Sequence, residues 1–125
     1  MKFSEWHDPN PKPIIRKYND IYVVRDDLLN GGSKVRFADY LIRTLPHKEI
    51  VYGGCPATGY AQISLPSLTN IYNKKTVLFM AKRSMDNLTV YQKRGIELGA
   101  EYNWVPDGML TVTKCRARQY VEKDP

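Results

Sequence analysis

A chain of 125 residues is one domain's worth, and its 42% hydrophobic and 26% charged residues are the balance of a soluble globular protein. No apolar run approaches the ~20 residues that a membrane-spanning helix needs, and Cys55 and Cys115 lack any CxxC or CxxH partner, which argues against a metal site and for a reducing, cytoplasmic setting. The net charge of +6 is compatible with a polyanion. Its basic pairs (Arg16-Lys17, Lys74-Lys75, Lys82-Arg83, Lys93-Arg94) are scattered and mostly near acids, however, so they read as solvated faces and nucleic acid is not the favoured partner.

In chain order, Met1 to Asp8 is polar and lacks the apolar core of a signal peptide. Pro9, Pro11 and Pro13 make residues 1–20 an extended lead-in rather than a helix. Ile21 to Arg25 reads as a strand by its β-branched and aromatic content. Asn30-Gly31-Gly32 is a turn, and Val35, Ala38, Leu41, Ile42 and Leu45 then form one apolar helical face that ends at Pro46. Glu49 to Tyr52 is a short strand running into Gly53-Gly54. Thr58 to Asn70 predicts a helix, short or kinked at Pro66. Thr76 to Ala81 is continuously apolar, as a strand buried on both faces should be. A third helix is predicted from Asp86 or Asn87, capped by Gly99, followed by a strand at 101–105 and a weakly helical, basic segment over 111–125. Alternation of strands with helices predicts an α/β fold with a parallel sheet, and places the α/β domain at 21–110.

The candidate site is the stretch Val24-Arg25-Asp26-Asp27-Leu28-Leu29-Asn30-Gly31-Gly32-Ser33-Lys34-Val35-Arg36. A lysine just after a glycine turn, at the start of a helix, faces the positive end of the helix dipole, which favours its neutral, nucleophilic form. The same residues also read more simply: glycines supplying positive φ, Ser33 as an N-cap, Lys34 as a solvated first-turn residue. No Walker loop is present, because the Gly-x4-Gly-Lys-Ser/Thr spacing is missing.

This stretch resembles the cofactor-lysine segment of pyridoxal-phosphate enzymes of the tryptophan-synthase-β-like fold. It is most similar to the aminocyclopropane-carboxylate deaminase and D-cysteine desulfhydrase branch, whose members read roughly Lys/Arg-Asp-Asp-Leu, Gly-Gly-Asn-Lys, x-Arg. The resemblance runs from about Pro13 to Pro106 and includes Leu98-Gly99-Ala100 ahead of the last strand. It implies a three-layer fold with a mostly parallel sheet of about four strands, like the small domain of such enzymes. It also implies that Lys34 carries a Schiff base to pyridoxal phosphate.

The family's second motif, Gly-Gly-x-Gln-Ser-Asn, touches the cofactor ring and the substrate carboxylate. Here the chain has Gly53-Gly54-Cys55-Pro56-Ala57-Thr58-Gly59. Ala57 replaces the serine, Thr58 keeps a hydroxyl for the ring oxygen, and the start of the next helix at Thr58-Gly59 offers backbone amides to a phosphate. Phe37 stands where the family has another basic residue. Family enzymes are more than twice as long, and their second domain supplies the main phosphate loop and the partner of the pyridine nitrogen. The resemblance thus implies a fragment, one half of a split enzyme, or a reduced relative whose site another subunit completes, with a homodimer or a completing subunit as the expected partner.

Other residues carry weaker signals. His7 and His47 lack ligand spacing, Ser64 and Ser67 lack a G-x-S-x-G elbow, and the adjacent Asp26 and Asp27 point opposite ways in a turn. Two functions follow. One is a pyridoxal-phosphate-dependent lyase or deaminase-like protein acting on a small amino acid. The alternative is a non-catalytic α/β module whose basic surface engages nucleic acid or an acidic protein.

Overall fold

In the computed structural model, which describes residues 1–106 and 108–123, a 3-10 turn at Phe3–Glu5 precedes a hairpin of β1 (Ile15–Tyr18) and β2 (Ile21–Val24). There follow α1 (Lys34–Thr44), β3 (Glu49–Tyr52), α2 (Ala61–Ile71), β4 (Lys75–Ala81), α3 (Val90–Glu97), β5 (Glu101–Val105) and α4 (Leu110–Lys123). Asp124 and Pro125, the end of the expected 111–125 segment, lie outside the described residues.

Strands β3, β4 and β5 form a parallel sheet in that order, with Val51 opposite Val77 and Leu78 opposite Tyr102. The apolar run of β4 is central because both of its faces are covered. Leu78 and Met80 face Ala61 and Cys55 on the α2 side, whereas Val77 and Phe79 face Ala117 and Tyr120 of α4. Strand alternation turns one apolar run into two cores. Helix α1 extends the first side by setting Val35 and Ile42 against Leu68 of α2.

The parallel sheet has three strands, not about four. Ile21–Val24 is a strand, as its composition predicts, but it pairs antiparallel with Ile15–Tyr18 in a separate hairpin. Ile21 and Tyr22 remain exposed there, so β-branched composition marked a strand without marking where it would be buried. The expected extended lead-in is not extended throughout: it opens with a 3-10 turn at Phe3–Glu5 and ends at residue 14, where β1 begins. Asp86 does not start the third helix. Residues 85–87 form a 3-10 turn, and Thr89 caps α3 by accepting from the Gln92 amide while Gln92 Oε1 accepts from the Thr89 amide at 3.0 Å. Gly99 is the expected left-handed cap (φ 87°), with its amide on Ile96 and that of Ala100 on Gly95.

Lys74, read from sequence as part of a solvated pair, is half-buried and donates to the carbonyls of Ile42 and Leu45, closing the end of α1. Asp39 on α1 is fully buried and accepts from Trp6 Nε1 at 2.7 Å and from the Tyr72 hydroxyl. Burial, then the bond to Asp39, pushes the Tyr72 hydroxyl up to about 12. A phenol raised in the folded state above its ordinary value near 10 contributes stability below that pH and loses it as pH rises through about 12. Tyr72→Phe should cost about 1.5 kcal/mol at neutral pH, the scale of a hydrogen bond to a charged group. The gap between variant and parent should close between pH 10 and 12 in alkaline unfolding. An equal gap at both ends would contradict it.

Candidate functional site

The turn ahead of α1 is built by its two glycines. Gly31 and Gly32 have φ of 87° and 74°. A Cβ at Gly31 would lie 2.5 Å from Val35 Cγ1, and one at Gly32 would lie 2.9 Å from the Tyr60 ring. Ser64 Oγ donates to the Gly31 carbonyl and fixes the turn to α2. Ser33 occupies the N-cap position of α1, but its side chain makes no capping bond.

Arg36, the arginine of the motif, clamps this turn to the lead-in. It donates to Asp26 through Nε and Nη2, and to Asp8 and the Pro11 carbonyl through Nη1 at 2.9 and 2.7 Å. Asp27 points elsewhere, onto Arg25, whose hydrogen bonds hold its carboxyl below the usual carboxylate range. The two adjacent carboxylates therefore have separate structural partners. His7 and His47 are both exposed, and no group of three His, Cys, Asp or Glu side chains among the described residues could hold a metal.

Lys34 is the first residue of α1, exposed, and without a hydrogen bond or ion pair among the described residues. It borders two hollows. One, of about 640 Å³, is lined by Val24, Asp26, Asp27, Gly32, Ser33 and Tyr60. The other, of about 340 Å³, is mostly apolar, with Phe37, Ala38, Tyr52 and Leu65 as its walls. The amine and the apolar hollow fit the aldehyde-bearing ring of pyridoxal phosphate. These walls do not fit its phosphate: carboxylates line the larger hollow, and Arg36 is already engaged.

The loop after β3 lies beside Lys34, whose charge acts on the Cys55 thiol. Burial pushes that thiol up, more than the amides of Gln62 and Ala61 and the Lys34 charge pull it down. Thr58 is exposed and Gly59 half-buried on this loop, and neither lines the hollows at Lys34. The Gly59 amide donates to the Pro56 carbonyl at 2.8 Å, so it is not available to a phosphate. Gly53 has a packing reason: a Cβ there would meet the Thr113 carbonyl at 2.8 Å and Ala117 Cβ at 2.7 Å, so its absence lets α4 cross β3.

A buried polar network holds the loop in place, and sequence reasoning missed it. Gln62 Nε2 donates to the carbonyls of Ala57 and Gly59 at 2.9 and 2.8 Å, while its Oε1 accepts from Tyr102 at 2.9 Å. Thr89 Oγ1 also donates to Ala57, at 2.7 Å. Of these groups only the Thr89-x-x-Gln92 capping box had a sequence signal.

No protein-family model matches the chain, and searches of curated proteins and of solved structures found no similar protein. Among the described residues no helix is long and apolar enough to cross a membrane.

Proposed function

We propose that this chain is the lysine-bearing unit of a pyridoxal-phosphate-dependent protein of lyase or deaminase type, acting on a small amino acid, with Lys34 as the covalent anchor. The observation that supports it best is the Lys34 amine, unengaged among the described residues and bordering both a hollow lined in part by Asp26 and Asp27 and a mostly apolar one. When bound, the cofactor would supply an electron sink for amino-acid chemistry. Lys34 would hold it and, once displaced by a substrate amine, would carry a proton to or from the substrate Cα. Phe37, Tyr52 and Leu65 would shield one side of the ring from water.

The phosphate contacts belong, in this reading, to a completing surface from a second copy or another subunit. Val24 of the hairpin lines the larger hollow, and it shares its strand with the exposed Ile21 and Tyr22, the kind of apolar residues that a partner covers. Mixing the full chain with pyridoxal phosphate, reducing with borohydride and weighing the intact protein should show saturable addition of one cofactor mass per chain. No addition, or unsaturable multiple addition, would overturn the reading.

A second reading rests on α4, where Lys114, Arg116, Arg118 and Lys123 are exposed and outside any ion pair among the described residues. It makes the chain a non-catalytic module for an acidic partner. Steeply salt-dependent binding to a DNA duplex, lost on neutralising α4, would favour it.

A further inference from the structure

The carboxyl-terminal ends of the three parallel strands enclose a separate cavity of about 520 Å³. Its lining includes Cys55 and Ala57, after β3, Met80 and Ala81 at the end of β4, and Gln92 of α3. Lys82, Arg83 and Ser84 continue from the end of β4 along the same cavity. Ligands of open α/β sheets bind outside this end of the strands.

Gln92 is the telling residue. It is fully buried, and its Nε2 has no hydrogen-bond partner among the described residues. Its orientation is fixed, because Oε1 accepts from the Thr89 amide, which an inverted side-chain amide would leave facing a donor. Around it, both polar atoms of Gln62 and the hydroxyls of Tyr102 and Thr89 all have partners. One unmet donor in an otherwise satisfied buried network, bordering a cavity with two cations, calls for an acceptor from outside. Both cations are exposed and outside any ion pair among the described residues.

We propose that this cavity binds a small anionic metabolite through a phosphate or carboxylate group, one oxygen accepting from Gln92 Nε2 and the charge met by Lys82 and Arg83. The site is independent of Lys34, so either assignment stands if the other fails.

The test is calorimetric titration of the full chain with sodium phosphate and, separately, sodium acetate, each against sodium chloride at equal ionic strength. Saturable binding of one anion per chain is expected. Tighter phosphate binding assigns a phosphate monoester, and tighter acetate binding assigns a carboxylate. Gln92→Glu retains the capping box, since glutamate serves at that position, but replaces the donor with an acceptor. It should fold and bind about tenfold more weakly or worse. Lys82→Ala/Arg83→Ala, a pair of exposed changes that do not threaten folding, should weaken binding several-fold and flatten its salt dependence. Binding no better than chloride, as expected if a single water meets Nε2, would overturn the proposal. So would an unchanged affinity in folded Gln92→Glu, or in the Lys82→Ala/Arg83→Ala variant.

Discussion

Gly95→Ala is expected to destabilise the chain by about 2 kcal/mol, although alanine is the better helix former by about 1 kcal/mol. A Cβ on Gly95 would collide with the Tyr102 hydroxyl and lie 2.9 Å from the Gln62 carbonyl. The second contact exists because Pro66, four residues after Gln62, has no N–H for that carbonyl, and Gly95 packs directly against it. Tyr102 cannot swing away freely. Its hydroxyl is bonded to Gln62 Oε1, and its ring stacks on Trp104 at 5.1 Å between centroids. The added methyl must therefore separate α3 from α2 or break that bond, either of which outweighs the helix-propensity gain. Thermal unfolding should show a loss of roughly 8 °C. Removing the obstructing hydroxyl as well, in Gly95→Ala/Tyr102→Phe, should cost less than the sum of the two single changes. A neutral or stabilising Gly95→Ala would mean that α3 does not approach α2 this closely.

Lys34→Ala should abolish covalent capture of pyridoxal phosphate while leaving unfolding within about 0.5 kcal/mol of the parent, because the side chain is exposed and supports nothing among the described residues. Lys34→Arg should lose capture equally, since a guanidinium keeps the charge but not a nucleophilic amine. That pairing separates covalent chemistry from simple attraction of an anion. Capture retained by either variant at the parent's stoichiometry would remove Lys34 from the site.

Some of this architecture was legible in the residues. Of the expected apolar face of α1, Val35 and Ile42 are buried and Ala38 and Leu45 half-buried, while Leu41 is exposed; the run 76–81 matches the doubly covered β4, and Gly99 the end of α3. The hairpin was not legible, because Ile21–Val24 has the composition of a buried strand and only its pairing with Ile15–Tyr18 keeps it outside the sheet. Asp86 and Asn87 look like helix starters, yet the reciprocal Thr89–Gln92 cap satisfies two donors where a lone side chain satisfies one. At the site, local sequence located the glycine turn and the lysine that follows it. It could not locate the network of Gln62, Tyr102 and Thr89, whose bonds join residues some thirty to forty positions apart. Nor could it show that the Gly59 amide closes a turn on Pro56 rather than facing a ligand.

The central claim concerns one amine among many exposed ones, so the most direct measurement is the position of the label. The full chain is treated with pyridoxal phosphate at limiting ratio, reduced with borohydride, digested, and its modified lysine mapped by mass spectrometry. The label is expected on Lys34. Label spread over exposed lysines such as Lys82, Lys114 and Lys123, with no preference for Lys34, would contradict it.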